Sequence, residues 1–281
     1  MSKLYICATP IGNLEDITLR ALRILKEVDV IAAEDTRHTK KLLNKHRIST
    51  TLTSYHKFNI REKTKYILNL IKEGKSAALV SDAGMPGISD PGYELIKEAI
   101  KEGIAIVPIP GPTASITALA SSGLPTDCFA FEGFLPAKEG ERVKVLNRLK
   151  DDSRTLIFYE APHRLVKMLQ DLKKVFGSRK VVLARELTKK FEEFVRGSIE
   201  ELLSKFETKK PKGEFVVIVE GKREVAKKIK EELLLALIKD LLKLGISRKD
   251  TVKIVCKYSG LTRNQIYDMV LSLQEAQSGE I

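Results

Sequence analysis

The sequence has 281 residues, no tryptophan and only three cysteines, Cys7, Cys128 and Cys256. The cysteines are odd in number and none forms a C-x-x-C pair, which argues against a disulfide framework and a thiolate zinc site. No run of about 18 apolar residues occurs, so we expect no membrane-spanning helix. The first residues also lack the apolar stretch and cleavage site of a signal peptide. We therefore expect a folded cytoplasmic protein.

Several familiar signatures are missing. No G-x-G-x-x-G follows the first predicted strand, so an ordinary dinucleotide-binding fold has no support. Gly74-Lys75-Ser76 resembles the end of a phosphate-binding loop, but it precedes a predicted strand where such a loop follows one. The four histidines lack metal-ligand spacing, and we predict no metal.

Short β-branched runs alternate with amphipathic stretches through most of the chain. The runs cover residues 4–9, 28–33, 77–81, 104–109, 129–134, 155–159, 181–184 and 215–219. Such alternation predicts an α/β fold in which much of the sheet is parallel. We predict two α/β domains, at residues 1–115 and 116–221.

The pattern changes after residue 221. Apolar residues recur every four positions from Val225 to Leu241, which predicts a long helix over residues 224–244. Ser247 and Thr262 are predicted to cap two shorter helices. Residues 222–281 therefore read as a helical helix–turn–helix module, and the pattern leaves open whether this module binds RNA or only completes the fold.

Turn residues and acids collect where predicted strands end. These segments cover residues 9–14, 33–37, 81–92 and 108–115, and the third contains three glycines and two prolines. In open α/β sheets, ligands bind outside the carboxyl ends of the strands. Four such segments together predict a ligand pocket.

Five motifs carry a resemblance to a known family. They are ATPIGNL at 8–14, AEDTR at 33–37, SDAGMPGISDPG at 81–92, PGPTA at 110–114 and YEAPHR at 159–164. In this order they resemble the 16S ribosomal RNA cytidine 2′-O-methyltransferases of the tetrapyrrole-methylase superfamily, along the whole chain. The resemblance implies two α/β domains with S-adenosylmethionine in the cleft between them. It also implies 2′-O-methylation of a cytidine in the decoding region of the small ribosomal subunit, by a homodimer.

The resemblance also implies which residues contact the methyl donor. By matching motifs these are Pro10, Asp82, Met85, Thr113, Ala114 and Glu160. Ribose hydroxyls of the donor could donate hydrogen bonds to Asp82. Superfamily relatives that act on tetrapyrroles usually have an apolar residue where Glu160 lies, so Glu160 could contact either the donor or the substrate.

The matched motifs offer three acids as candidate general bases: Glu34, Asp35 and Glu186. Arg37 is a candidate phosphate clamp beside the first two, and Arg185 precedes the third. Each acid has an equal alternative as a member of an internal ion pair.

Most of the net charge of +12 lies in one segment. Residues 36–72 contain ten Lys and Arg against one acid, Glu62, which gives a local charge of 10 − 1 = +9. A one-signed run of this kind favours phosphate binding over a solvated helix face. The candidate RNA-binding residues are Arg37, Lys40, Lys41, Lys45, Arg47, Lys57 and Arg61.

Three aromatic rings, Tyr55, His56 and Phe58, interrupt the basic run. Such rings could stack on unpaired bases or pack against the fold, and the sequence favours neither.

Two other functions compete with RNA methylation. One is methylation of a tetrapyrrole-like small molecule, which the basic segment and the helical module disfavour. The other is a nucleic-acid-binding regulator without catalysis, which would leave two α/β halves and their loops without a role.

Overall fold

A computed structural model describes residues 2–208, 210–222, 231–259 and 261–278. The chain divides into two compact units, Met1–Lys222 and Arg223–Ile281. The first contains two five-stranded sheets and the second is helical. No helix in the described ranges is long and apolar enough to cross a membrane.

The first sheet is parallel throughout, with strand order β3-β2-β4-β1-β5. Its strands are β1 (Leu4–Cys7), β2 (Val30–Ala33), β3 (Thr51–Ser54), β4 (Ala77–Val80) and β5 (Ile106–Ile109). Its helices are α1 (Leu19–Glu27), α2 (Thr36–Lys45), α3 (Ile60–Lys72) and α4 (Tyr93–Lys101). Because β2 and β4 are buried along their whole length, they lie between two helical layers, as in a parallel sheet covered on both faces.

The second sheet has the order β6-β7-β10-β8-β9 and is mixed. Only β6 and β7 run parallel, and the other neighbouring pairs are antiparallel. The strands are β6 (Phe129–Phe134), β7 (Thr155–Glu160), β8 (Lys180–Arg185), β9 (Glu193–Ser198) and β10 (Phe215–Val219). The helices after β5 are α5 (Ala114–Ala120), α6 (Glu139–Leu149), α7 (Pro162–Phe176) and α8 (Ile199–Thr208).

The predicted α/β fold with a C-terminal helical module is confirmed. The strands β3 and β9 were not predicted, and both lie at sheet edges, where Val195 of β9 is the one buried residue of the two strands. The sequence boundary between residues 115 and 116 stays a prediction, because the contacts group both sheets in one unit.

The C-terminal unit has a small core of its own. Its helices are α9 (Glu231–Lys243), α10 (Arg248–Ser259) and α11 (Arg263–Ser278), and they bury Leu234, Ile238, Val252, Val255, Ile266 and Val270. Ser247 Oγ accepts from Asp250 N at 3.2 Å, and Thr262 Oγ1 from Gln265 N at 3.4 Å, as predicted for caps. The predicted start of the long helix, at residues 224–230, lies outside the described residues.

Candidate active site

A cavity of about 540 Å³ lies between the two sheets of the first unit. The loops after β1, β4 and β5 form one wall, and the loops after β7 and β8, with the start of β10, form the other. Its volume falls within the range of roughly 300–1,000 Å³ that is usual for small-molecule sites. The predicted pocket at the strand ends is therefore present as a cavity between the sheets.

Hydrogen bonds connect the loops of the first wall. Thr9 N donates to Gly84 O at 2.9 Å, and Gly84 N donates back to Thr9 O at 3.0 Å. Thr9 Oγ1 also donates to Ser81 O at 3.0 Å. Pro10 follows this bridge and lies beside the cavity-lining Ile11. The first loop is thus attached to the glycine-rich loop by its backbone.

Close backbone packing at two glycines leaves no room for a side chain. A Cβ on Gly111 would lie 2.9 Å from Ala8 Cβ, and one on Gly12 would lie 2.6 Å from Lys189 Cγ. The first contact joins the loops after β1 and β5, and the second joins the loops after β1 and β8. Gly111 therefore allows two loops of the first wall to pack together, and Gly12 allows the first wall to approach the second.

Four of the six candidate donor contacts line the cavity: Met85, Thr113, Ala114 and Glu160. Asp82 lies next to the cavity, and its Oδ1 accepts from Asp35 N at 2.9 Å. Thr113 and Ala114 begin α5, where Ser115 N donates to Tyr159 Oη at 3.3 Å across the cavity. This last bond connects the two walls directly.

Glu160 is a buried acid in the second wall, 2% exposed. Its Oε1 accepts from Ala161 N at 2.9 Å and lies 3.1 Å from Arg164 Nε. Its Oε2 has no hydrogen-bond partner among the described residues. Burial raises the pKa of this carboxyl, and the Ala161 N–H and the Arg164 guanidinium partly offset the rise. An unpaired buried acceptor of this kind indicates a site that a ligand donor group could complete.

Two of the three candidate bases form internal pairs. Asp35 caps α2 and accepts from Arg37 Nε at 3.1 Å and Arg37 Nη2 at 2.8 Å, which lowers the pKa of Asp35. Glu186 Oε1 accepts from Glu214 N at 3.0 Å and from Lys189 Nζ at 2.9 Å. These bonds, led by the one from Glu214 N, lower the pKa of Glu186. Arg37, the candidate phosphate clamp, therefore contacts Asp35 in this structure.

Glu34, the third candidate, directly follows β2 and is half-buried. Burial raises its pKa, and the nearby carboxylates of Asp82 and Asp35 raise it further. Glu34 in turn raises the pKa of Asp90, which lines the cavity. The structure thus gathers Glu34, Asp82 and Asp90 where the adjacent strands β2 and β4 end. Asp90 could not be recognised from the sequence as a member of this group, because its proximity to Glu34 and Asp82 depends on the order of the strands.

The basic segment forms an exposed surface on α2 and at the start of α3. Arg37, Lys40, Lys41, Lys45, Arg47, Lys57 and Arg61 are all exposed. Within the described ranges, Arg37 is the one member of this set that forms an ion pair. We call these seven side chains the basic surface. Their charges are available to an anionic partner.

The three aromatic residues of the basic segment differ in how far their side chains are exposed to solvent. Tyr55 is 0% exposed, packs in the core and has its hydroxyl 3.1 Å from Thr64 Oγ1. Phe58 is 84% exposed, with Lys57 Nζ 4.8 Å from its ring centroid. His56 is half-buried, and its Nε2 lies 3.3 Å from Asn59 Nδ2. Stacking on a base remains open to Phe58, whereas Tyr55 belongs to the core.

Comparison with known proteins gives consistent matches. Residues 3–203 match the family described as Tetrapyrrole (Corrin/Porphyrin) Methylases. The chain is 50% identical over 273 residues to a protein of Halalkalibacterium halodurans named Ribosomal RNA small subunit methyltransferase I, covering 95% of this chain and 93% of that one. A protein of the same name from Thermotoga maritima is 52% identical over 222 residues, which cover 79% of this chain and all of that one.

Solved structures show the same fold at low sequence identity. Uroporphyrin-III-C-methyltransferase from Thermus thermophilus matches with a TM-score of 0.57 and 22% identity, over 78% of this chain and 94% of that one. Diphthine synthase matches with a TM-score of 0.60 and 15% identity, over 79% and 90% of the two chains. At these sequence identities, the similarity shows only that the fold is shared.

Proposed function

The chain belongs to the tetrapyrrole (corrin/porphyrin) methylase family, and from this premise we propose that it methylates the ribose 2′-oxygen of a cytidine in the decoding region of 16S ribosomal RNA. Methyl transfer from S-adenosylmethionine to ribosomal RNA follows from the family and from the relatives named Ribosomal RNA small subunit methyltransferase I. The acceptor atom and the nucleotide are our proposal. The match to these relatives over nearly the whole chain supports the ribosomal RNA substrate, and the choice of a cytidine 2′-oxygen rests on the resemblance of the five sequence motifs.

The cavity residues fit S-adenosylmethionine, which supplies an electrophilic methyl group on a positively charged sulfur. The unpaired Glu160 Oε2 is a buried acceptor that the ligand could complete, in a cavity of suitable volume. We propose that Met85, Thr113, Ala114 and Glu160 contact the donor. We propose that Pro10 and Asp82, which lie in sequence next to lining residues of the cavity, contact the donor as well, and Asp82 also accepts a hydrogen bond from Asp35 N.

We propose that the basic surface binds the phosphates of the RNA. The first of its seven exposed cations, Arg37, lies in the first turn of α2. This helix directly follows Glu34 and Asp35, so the basic surface starts close to the acids beside the cavity. Phosphate contacts fix the position and register of a nucleic acid, whereas the cavity selects the reacting group. Holding the ribose oxygen in line with the transferred methyl group can supply about 7–11 kcal/mol of the barrier reduction.

Two properties of the protein are part of the same proposal. We propose a cytoplasmic location, because the substrate is ribosomal RNA. We also propose a homodimer, which is consistent with large apolar side chains exposed on the first unit, such as Leu19 and Phe191. Light scattering on the purified protein should give about twice the chain mass of 31.5 kDa, and a single chain mass would contradict the dimer.

The function is tested by incubating the protein with S-adenosylmethionine labelled in the methyl group and three acceptors. These are small ribosomal subunits that lack the modification, free 16S ribosomal RNA, and a tetrapyrrole such as uroporphyrinogen III. We expect label in 16S RNA, at a cytidine of the decoding region, and none in the tetrapyrrole. Label in the tetrapyrrole alone would support the competing small-molecule reaction.

A further inference from the structure

Asp90 occupies a special position at the end of the glycine-rich loop. It lines the cavity, and its side chain is half-buried. The preceding residue, Ser89, has a φ of 65°, a left-handed conformation that non-glycine residues rarely adopt. Two residues later Gly92 has a φ of 154°, where a Cβ would lie 3.0 Å from Gly87 N. The loop therefore holds Asp90 in place at a local cost, which is a feature often found in active sites.

Four other acids at or near the cavity are paired with cations, and Glu34, which forms no ion pair with a described residue, is not part of the cavity lining. Asp35 and Glu186 are bound to Arg37 and Lys189 and are not part of the cavity lining. Of the three carboxylates in the lining, Glu160 is paired with Arg164 and Glu214 with Lys189. Asp90 forms no ion pair with any described residue. It is thus the lining carboxylate without a cation beside it.

The surroundings of Asp90 give it the basicity that proton transfer at neutral pH requires. Burial, and then the Glu34 carboxylate, raise the pKa of Asp90 to about 6, with a smaller contribution from Asp82 and a partial offset by a hydrogen bond with Ser81. The second wall brings His163, Lys189, Glu160 and Glu214 to the same cavity. A general base is most effective when its pKa lies near the working pH.

We propose that Asp90 is the general base of the methyl transfer. Resting on the function proposed above, the step is a direct displacement. The ribose oxygen forms a bond to the methyl carbon, and the S–CH₃ bond breaks with its electron pair left on sulfur. The 2′-hydroxyl proton passes to an Oδ atom of Asp90 and from there to solvent. The products are 2′-O-methylated RNA and S-adenosylhomocysteine.

The main test replaces Asp90 by asparagine, which keeps the size of the side chain and removes its basicity. A general base contributes typically about 10²–10⁴-fold, so we expect kcat of Asp90→Asn to fall by about 100-fold or more. The KM for RNA and the Kd for S-adenosylhomocysteine, measured by calorimetry, should stay within about threefold, because other groups provide binding. Asp127→Asn, a change of an exposed aspartate outside the cavity lining, is the matched control and should keep full activity.

The pH dependence separates a base from a structural residue. Below pH 6 the wild-type kcat should rise about tenfold per pH unit, because deprotonated Asp90 is the active form, and it should level off above pH 7. In Asp90→Asn, kcat should no longer rise with pH below pH 6. Asp90→Glu should restore part of this rise. Carbon NMR of protein labelled at the aspartate carboxyls should show one group that titrates near pH 6 in the wild type and is missing in Asp90→Asn.

Each outcome has a definite meaning. Wild-type kcat in Asp90→Asn would overturn the proposal while the RNA methyltransferase function stands. A large loss of S-adenosylhomocysteine binding in Asp90→Asn would assign Asp90 to donor binding and also overturn it. If the wild-type protein transfers no label to RNA, the proposed function fails, and the role of Asp90 in it fails too.

Discussion

The cavity and the basic surface use charge in opposite ways. In the cavity, burial raises the pKa of the lining carboxyls Asp90 and Glu160, and it also raises the pKa of Glu34 beside the cavity. On the basic surface seven cations are exposed to solvent. Buried charges interact strongly with close partners, whereas exposed charges are screened by salt beyond about 8 Å at physiological ionic strength.

This contrast teaches that binding of the donor and binding of the RNA should respond to different changes. A substitution in the cavity should alter donor binding or the chemical step and leave the salt dependence of RNA binding unchanged. A substitution on the basic surface should do the reverse. Three sets of substitutions test this separation.

Among these substitutions, the largest effect on binding is expected at Asp82. Asp82→Ala removes the acceptor of the Asp35 N–H and a proposed partner of the donor's ribose. We expect S-adenosylmethionine binding to weaken by about 1–3 kcal/mol, as for the loss of hydrogen bonds to a charged group, with no change in the salt slope for RNA. Calorimetric titration measures the first quantity. Asp82→Asn keeps an acceptor oxygen for Asp35 N and is the matched control. An unchanged Kd for S-adenosylmethionine in Asp82→Ala would show that Asp82 contributes only to the loop structure.

A second effect is expected from the triple change Arg37→Gln, Lys40→Gln and Lys41→Gln. Loss of three phosphate contacts should flatten the slope of log affinity against log salt by up to about 2.7 on a duplex or about 2.1 on a single strand. Donor binding should not change. The control neutralises Lys167, Lys173 and Lys174, three exposed lysines of α7. Equal slopes in both triple variants would locate the RNA-binding surface elsewhere.

The smallest effect concerns the two aromatic residues with opposite burial. Phe58→Ala should weaken RNA binding by about 1 kcal/mol through the loss of stacking on one base, with no change in stability. Tyr55→Phe should lower the free energy of unfolding by about 1 kcal/mol through the loss of its bond with Thr64, with no change in RNA binding. Binding and urea titrations measure the two effects. Weaker RNA binding by Tyr55→Phe together with normal RNA binding by Phe58→Ala would contradict the proposal that Phe58 stacks on a base and Tyr55 serves only the core.

The sequence predicted those strands that contain a run of apolar residues, including the edge strands β5 and β6. β2 and β4 are apolar along their whole length and were recognised from composition alone. β3 and β9 lie at sheet edges, where exposed faces carry polar and charged residues, so they lack an apolar run. The antiparallel pairing of β10 with β7 and β8 was also not predicted, because pairing depends on contacts distant in sequence.

At the site, the sequence indicated loops and residue types but not partners. The motifs named Met85, Thr113, Ala114 and Glu160, which line one cavity. The pairing of Asp35 with Arg37 spans only two residues and was an open alternative in the sequence. The approach of Asp90 to Glu34 could not be read from the sequence, because it requires β2 and β4 to be neighbours. Residues far apart in sequence meet only when the strand order is known.

The central claim is that the acceptor is a ribose 2′-oxygen. It is tested most directly with an RNA fragment of the decoding region, or a small subunit rebuilt with it, made with and without the single 2′-hydroxyl at the target cytidine. Because the phosphate contacts remain, both versions should bind with similar affinity. We predict transfer of labelled methyl to the hydroxyl version and none to the deoxy version. Transfer to the deoxy version at a comparable rate would show that a base atom is the acceptor and would contradict the claim.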